Sequence, residues 1–343
     1  MLKDNPIRGF EIDPASLKYV GEGLQRPECI LAEPDGSLWA ADARGGVAHI
    51  FPDGSQEIIT QKHVAGIDVQ SADVDRFFQG TLPNGLAFAR NGDILISNFG
   101  TDCLERMKRT GETTVIFDTI DGREIGKVNF VLRDSKDRLW ITITTMKKDW
   151  IDALVPDLDD GYIARYDETG IHVVAEGLHF TNEVRFDAKE EYLYCVETVG
   201  VRGGRIVRFK CDEKGNLFNK EVYGPEQMGQ GAYPDGIAFD SYGNLWGTMV
   251  YSDKLFVITP DGEMVVLIDE GDHEKVQRLD DAFFASRVTR ELLFETGRGV
   301  APWMASVTFG GPDLKTAYIG SLRATKIPYF TAPAAGLPMV HWK

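Results

Sequence analysis

One unit recurs along this chain, and that recurrence limits what it can fold into. The clearest copy starts at Tyr233: an apolar run with period-two alternation to Asp240, a Gly243-Asn244 turn, a return through Leu245 to Val250, then Lys254 to Thr259 closed by Pro260-Asp261-Gly262. Alternation of period two bounded by Gly, Asn and Asp reads as strands joined by tight turns. Related copies start near Arg26, Leu82, Lys127, Phe180 and Ala305, and each has a polar residue at the mouth of its first strand. These mouth residues are Glu28, Asn84, Asn129, Asn182, Asp235 and Ser306, at spacings of 56, 45, 53, 53 and 71.

Units of about 45 to 55 residues with three or four short strands are the repeats of a β-propeller. Six of them predict an all-β, six-bladed propeller, one domain over residues 1–343; the polar mouth residues add the expectation of a metal ion in its central channel. No Gly-His to Trp-Asp signature marks a WD40 array, and no long helical periodicity is expected. Residues 16–21 read as a further strand. The segment 328–343 is expected to supply an outer strand to a terminal blade, because a propeller must close its ring to hide sheet edges. Residues 61–80 read as a surface insertion or partial lid, and 146–160 as a long loop; both could shape a pocket above the channel. Trp39, Trp140 and Trp246 share one slot after the turn and read as blade core.

Composition narrows the function. The 343 residues carry a formal charge of −16, which repels phosphate backbones and argues against nucleic acid as a partner. No run of about 18 apolar residues suggests a membrane span, and the start lacks the apolar segment of a signal peptide, so a cytoplasmic protein is expected. Cys29, Cys103, Cys195 and Cys211 have no CxxC spacing and read as free thiols. His179 and His273 are isolated and read as structural or solvated. Neither a Gly-x-Ser-x-Gly elbow nor a phosphate-binding glycine loop is present.

First strands line a propeller's channel, so the mouth residues face a common axis. All six offer oxygen, and none offers sulphur or imidazole. Such a set suits a hard divalent cation, Ca²⁺ first, with Zn, Mg, Mn or Fe as alternatives. Taken singly, Asn84-Gly85 and Asp235-Gly236 also read as plain turn chemistry; polar residues recurring in register favour the shared site.

On these residues the chain resembles the SMP-30/gluconolactonase/luciferin-regenerating-enzyme family, over roughly residues 20 to 335. The most specific pieces are Pro234 to Asp240 with Gly243 to Trp246, and Thr308 to Asp313 with Ala317 to Ile319. The latter pair resembles the sugar-lactonase branch in particular. The resemblance implies a six-bladed fold with one divalent ion held by Glu28, Asn129, Asn182 and Asp235. It also makes Asp235 the catalytic base or nucleophile. Asn84, Asn129 and Lys127 are implied to bind substrate, with Asn84 at a less constant position. The neighbours depart from the pattern: Cys29 and Ile30 follow the glutamate, and Asn129 and Asn182 stand in Val128-Asn129-Phe130 and Thr181-Asn182-Glu183. The expected activity is metal-dependent hydrolysis of an aldonolactone or similar small lactone. The alternatives are an organophosphate hydrolase on the same site and a non-catalytic calcium-binding propeller. The oligomeric state is left open.

Overall fold

A computed structural model describes residues 5–62, 77–78 and 80–343. Six four-stranded antiparallel sheets stand around a central channel. Their inner strands are Ile30–Ala32, Pro83–Phe88, Val128–Arg133, Thr181–Phe186, Pro234–Phe239 and Met304–Gly310. Each inner strand touches the next, and that of blade 6 touches that of blade 1, so the ring closes. The hydroxyls of Ser306 and Thr308 stitch the closure by donating to the carbonyls of Glu28 and Ile30.

Blade 6 is shared between the chain's two ends. Its strands run, from the channel outward, Met304–Gly310, Thr316–Ser321, Ile327–Thr331 and Lys18–Val20. The outer strand is therefore the N-terminal one, and the C-terminal strand is third. This corrects the expectation that 328–343 caps a blade edge. The tail beyond instead crosses the far ends of the inner strands. His341 and Trp342 both reach the carbonyl of Ala32, at 2.8 and 2.9 Å, and Leu337 N donates to Phe239 O at 2.7 Å. The tail therefore lies across the end of the channel opposite the mouth residues, and a separate cavity lies between it and the inner strands.

The tryptophan slot sets the strand register. Trp39, Trp140 and Trp246 are fully buried, and each indole N–H meets a carboxylate from the preceding turn: Glu33 at 2.6 Å, Asp134 at 2.9 Å and Asp240 at 2.9 Å. An unpaired buried N–H would cost about 1–3 kcal/mol, so each pair fixes how its hairpin closes. In blades 3 and 5 the same aspartates also accept backbone N–H groups of the turn, which makes one side chain organise both turn and core.

Two short helices stand between blades 5 and 6 of the otherwise all-β chain. Helix α1, His273–Phe284, is capped by Asp272, and helix α2, Arg290–Glu295, is capped by Thr289. Val276, Leu279 and Phe283 recur at helical spacing and turn inward. This insert accounts for the long spacing before the sixth unit. A 3₁₀ turn at Trp150–Ala153 falls within the loop expected at 146–160. The insertion expected at 61–80 lies mostly outside the described residues. Cys29, Cys103, Cys195 and Cys211 are all unpaired. Among the described residues no helix is long and apolar enough to cross a membrane.

Candidate active site

Register places the mouth residues. The residues paired with the tryptophan slot are Leu31, Ala87, Leu132, Arg185, Ala238 and Thr308. Counting back three positions in each blade reaches Glu28, Asn84, Asn129, Asn182, Asp235 and Ala305. The sixth slot therefore belongs to Ala305, one residue before the expected Ser306. In blades 2 to 6 the ladder breaks at this slot with a register shift. Such a bulge frees one residue from strand pairing and re-aims its side chain. A strict count of alternation slips by one there, which is why it lands on Ser306.

Gly85 and Gly236, which follow two of the mouth residues, are not turn glycines. Neither has the positive φ of a tight turn. A Cβ on Gly85 would lie 2.6 Å from Cα of Phe130, and one on Gly236 would lie 2.3 Å from the carbonyl of Ala305. They are glycines because the next blade's backbone passes against them.

Glu28, Asn84, Asn129, Asn182 and Asp235 line one cavity, together with Arg26 and Thr198. All five mouth residues are at most 5% exposed. Asn84 Nδ2 donates to Glu28 Oε1 at 3.0 Å and to the carbonyl of Asn129 at 3.1 Å. Asn182 Nδ2 donates to Thr198 Oγ1 at 3.0 Å. Glu28 Oε2, Asn129 Oδ1 and Asn182 Oδ1 are buried without a partner. Buried polar atoms are nearly always paired, so three orphaned oxygens on three blades around one cavity need an explanation.

Charge points the same way. Burial is the main cause that pushes the Glu28 carboxyl well above its ordinary range; Asp235 and Glu183 add to this and Arg26 and Arg185 oppose it. Burial likewise raises Asp235, Glu183 adds, and Arg26 and a hydrogen bond from Asn182 oppose. Beneath them Glu183 is pushed up to about 7 by burial, despite Arg185 at 3.0 Å. A cation among these carboxylates would relieve their repulsion and their cost of burial. The orphaned oxygens and the all-oxygen donor set of Glu28, Asn129, Asn182 and Asp235 fit a hard divalent ion. Among the described residues no three His, Cys, Asp or Glu side chains are grouped as a metal site, so this set depends on its two amides.

Lys127 stands apart. It pairs with Asp102 at 2.9 Å and is not among the lining residues. The cation that does line the cavity is Arg26. Its Nη groups donate to Pro83 O at 3.0 Å and Asn84 Oδ1 at 2.5 Å, while Nε is buried with no partner. Arg26 holds a left-handed backbone at φ 56°. Sequence reasoning missed it, although it stands two residues before Glu28, as Lys127 stands two before Asn129. Leu82, Phe180 and Trp303 occupy the same rim position and also line the cavity. A second set, Phe99, Thr198, Val250 and Leu322, comes from the residue just after the second strand in four of the blades. Phe77, Trp150 and Tyr251 complete the wall.

Comparisons with known proteins agree with this architecture. Solved propellers superpose on the chain at low identity. A gluconolactonase from Xanthomonas campestris has a TM-score of 0.64 at 16% identity, covering 92% of this chain and 89% of that one. A calcium-binding protein, regucalcin, from Agrobacterium tumefaciens has a TM-score of 0.64 at 14% identity, covering 95% of this chain and 98% of that one. At such identities the likeness establishes the fold. A 6-deoxy-6-sulfogluconolactonase of Pseudomonas putida is 26% identical over 171 residues, 50% of this chain and 48% of the relative. The match thus spans about half the length of that relative. Residues 26–273, from the rim arginine of blade 1 to the start of α1, match the model of the SMP-30/Gluconolactonase/LRE-like region. With that match over most of its blades, the chain belongs to the SMP-30/gluconolactonase/LRE-like family.

Proposed function

We propose that this chain is a metal-dependent lactonase that opens a small lactone ring, the class that includes the aldonolactones expected from the resemblance. The observation that carries this reading is the trio of unpartnered buried oxygens on Glu28, Asn129 and Asn182, beside Asp235 in one cavity. The names of the similar gluconolactonase and sulfogluconolactonase support lactone hydrolysis as the reaction.

Glu28, Asn129, Asn182 and Asp235 would hold the ion. When bound, it would supply Lewis-acid polarisation of the substrate carbonyl. Asp235 acts as the base: its carboxylate takes a proton from the attacking water. The water oxygen bonds to the carbonyl carbon, the ring C–O bond breaks, and the leaving oxygen takes up a proton. The Asn182 amide holds the Asp235 carboxylate by a hydrogen bond and is itself oriented by Thr198. Arg26 brings a fixed positive charge and one open N–H, at Nε, to the same cavity, where negative charge develops on the substrate. The apolar wall keeps bulk water from the reacting atoms.

The test is turnover of a lactone panel by metal-stripped protein, then after adding Ca²⁺, Zn²⁺, Mn²⁺, Mg²⁺ or, anaerobically, Fe²⁺. Turnover that appears only with an ion is expected. Equal turnover in protein verified to be free of metal would remove the metal's role, and no turnover under any condition would leave a binding propeller.

A further inference from the structure

The wall above the mouth residues is unlike what a polyhydroxylated sugar requires. Among the described residues it presents Phe77, Phe99, Trp150, Phe180, Tyr251 and Trp303. Aromatic walls can still bind sugars if their polar tips are free; here both indole tips are engaged, which leaves the Tyr251 hydroxyl, close to Asp235 and Arg26, as the open aromatic tip among the described residues. Trp150 Nε1 donates to the carbonyl of Phe77 at 3.1 Å, and Trp303 Nε1 donates to Thr296 Oγ1 at 3.0 Å. Thr198 accepts from Asn182 and keeps its own O–H, and Lys127, paired with Asp102, is not among the lining residues. Against the described wall, a substrate with a hydroxyl on nearly every carbon would set several of them against carbon, and a buried unpaired hydroxyl is penalised.

The wall is also rigid by construction. Trp303 packs edge-on against Phe77 and Tyr251, each with centroids 5.3 Å apart, and Trp150 packs edge-on against Phe180 at 6.4 Å. The helical insert supports the wall from behind through Leu279, Phe283 and Leu293, which share its hydrophobic cluster. The cavity, counted with its opening to solvent, is about 540 Å³.

From this wall we infer that the preferred substrate is an apolar, ring-bearing lactone, such as an aryl-fused lactone, rather than an aldonolactone. The inference rests on the lactonase reading and narrows it. Hydrolysis then joins water oxygen to the carbonyl carbon, breaks the ring C–O bond, and releases a phenol that carries the proton, giving a hydroxyaryl acid. The aromatic ring faces Trp150 and Phe180 while the carbonyl reaches the polar floor.

The test compares dihydrocoumarin with δ-gluconolactone on metal-loaded protein. We expect kcat/KM for dihydrocoumarin to be higher by roughly 100-fold or more. Calorimetry with the two product acids gives a readout separate from turnover, and the hydroxyaryl acid should bind more tightly than gluconate. Phe180→Asn supplies the side-chain test, since asparagine accepts the left-handed backbone found at φ 44°. It should shift the kcat/KM ratio toward gluconolactone by about 10-fold or more, and Phe180→Leu should shift it less. Thermal unfolding of both variants reports whether the fold is kept. Gluconolactone turned over as well as dihydrocoumarin, with no difference between the product acids, would overturn the inference and leave the lactonase reading intact. Hydrolysis of neither lactone would overturn both.

Discussion

The side-chain amide of Asn84 donates to Oε1 of Glu28 at 3.0 Å, and this leaves Oε2 as the carboxylate oxygen without a partner. The Asn84 oxygen meanwhile accepts from Arg26 at 2.5 Å. A flipped amide would set N–H against guanidinium, so the orientation of Asn84 is fixed by Arg26, and that of Glu28 by Asn84. Asn84 is thus a positioning residue for the candidate metal ligand. Asn84→Leu should weaken divalent-ion binding by about 10- to 100-fold. Calorimetric titration would check this, and unchanged affinity would show that Glu28 is held by other means.

Glu183 lies at the base of the site with its carboxyl at about 7, raised by burial from an ordinary 4.5. Between those values the folded protein holds a proton that the unfolded chain has lost. Stability contributed by this group is therefore present at low pH and declines as pH rises through that window. Glu28 and Asp235 are shifted in the same direction. Urea unfolding of metal-free protein from about pH 4.5 to 7.5 should show this decline, and Glu183→Gln should flatten it. A divalent ion should restore stability most at the upper end, because it displaces protons from its ligands. A metal-free profile that rises across the window would contradict this assignment.

Gly236 offers a test of the blade-to-blade packing that places Asp235. A methyl group there would meet Ala305 O at 2.3 Å, Ser306 Cα at 2.6 Å and Glu183 Oε1 at 2.9 Å. Two of these contacts are backbone and cannot rotate away. Gly236→Ala should cost about 1–3 kcal/mol, measured by chemical unfolding, and should weaken metal binding as the Asp235 strand shifts. A variant as stable as the parent would mean that the blades can separate at this point without loss.

Much of this is legible in the residues because a propeller writes its geometry as repetition. The turn, the tryptophan slot and the polar mouth recur together, so Glu28, Asn84, Asn129, Asn182 and Asp235 stand out from their place in the repeat alone. Ser306 falls one position late because the bulge adds a residue without disturbing the apolar pattern on either side. The helix at His273–Phe284 escapes a pattern search because its buried face is short and its first half is rich in charge. Arg26 escapes because its importance lies in contacts with Asn84 and Pro83, which belong to another blade. Lys127 occupies the matching rim position, yet its partner Asp102 comes from a loop that no local pattern connects to it. The aromatic wall combines rim and strand-exit residues, Phe99, Phe180 and Trp303, with Phe77, Trp150 and Tyr251 from connecting segments, and these share no motif.

The central claim is that Asp235 handles a proton as well as holding an ion, and kcat measured against metal concentration in two variants tests it most directly. Asp235→Asn keeps an oxygen donor of nearly the same shape and removes the basicity. Glu28→Gln removes the same charge from the site and leaves Asp235 in place. Both should bind the ion more weakly, with occupancy checked independently of activity. At saturating metal, Glu28→Gln should recover most of its kcat, while Asp235→Asn should remain slower by roughly 10²- to 10⁴-fold. Equal recovery of the two variants would contradict the account and leave Asp235 as a ligand alone.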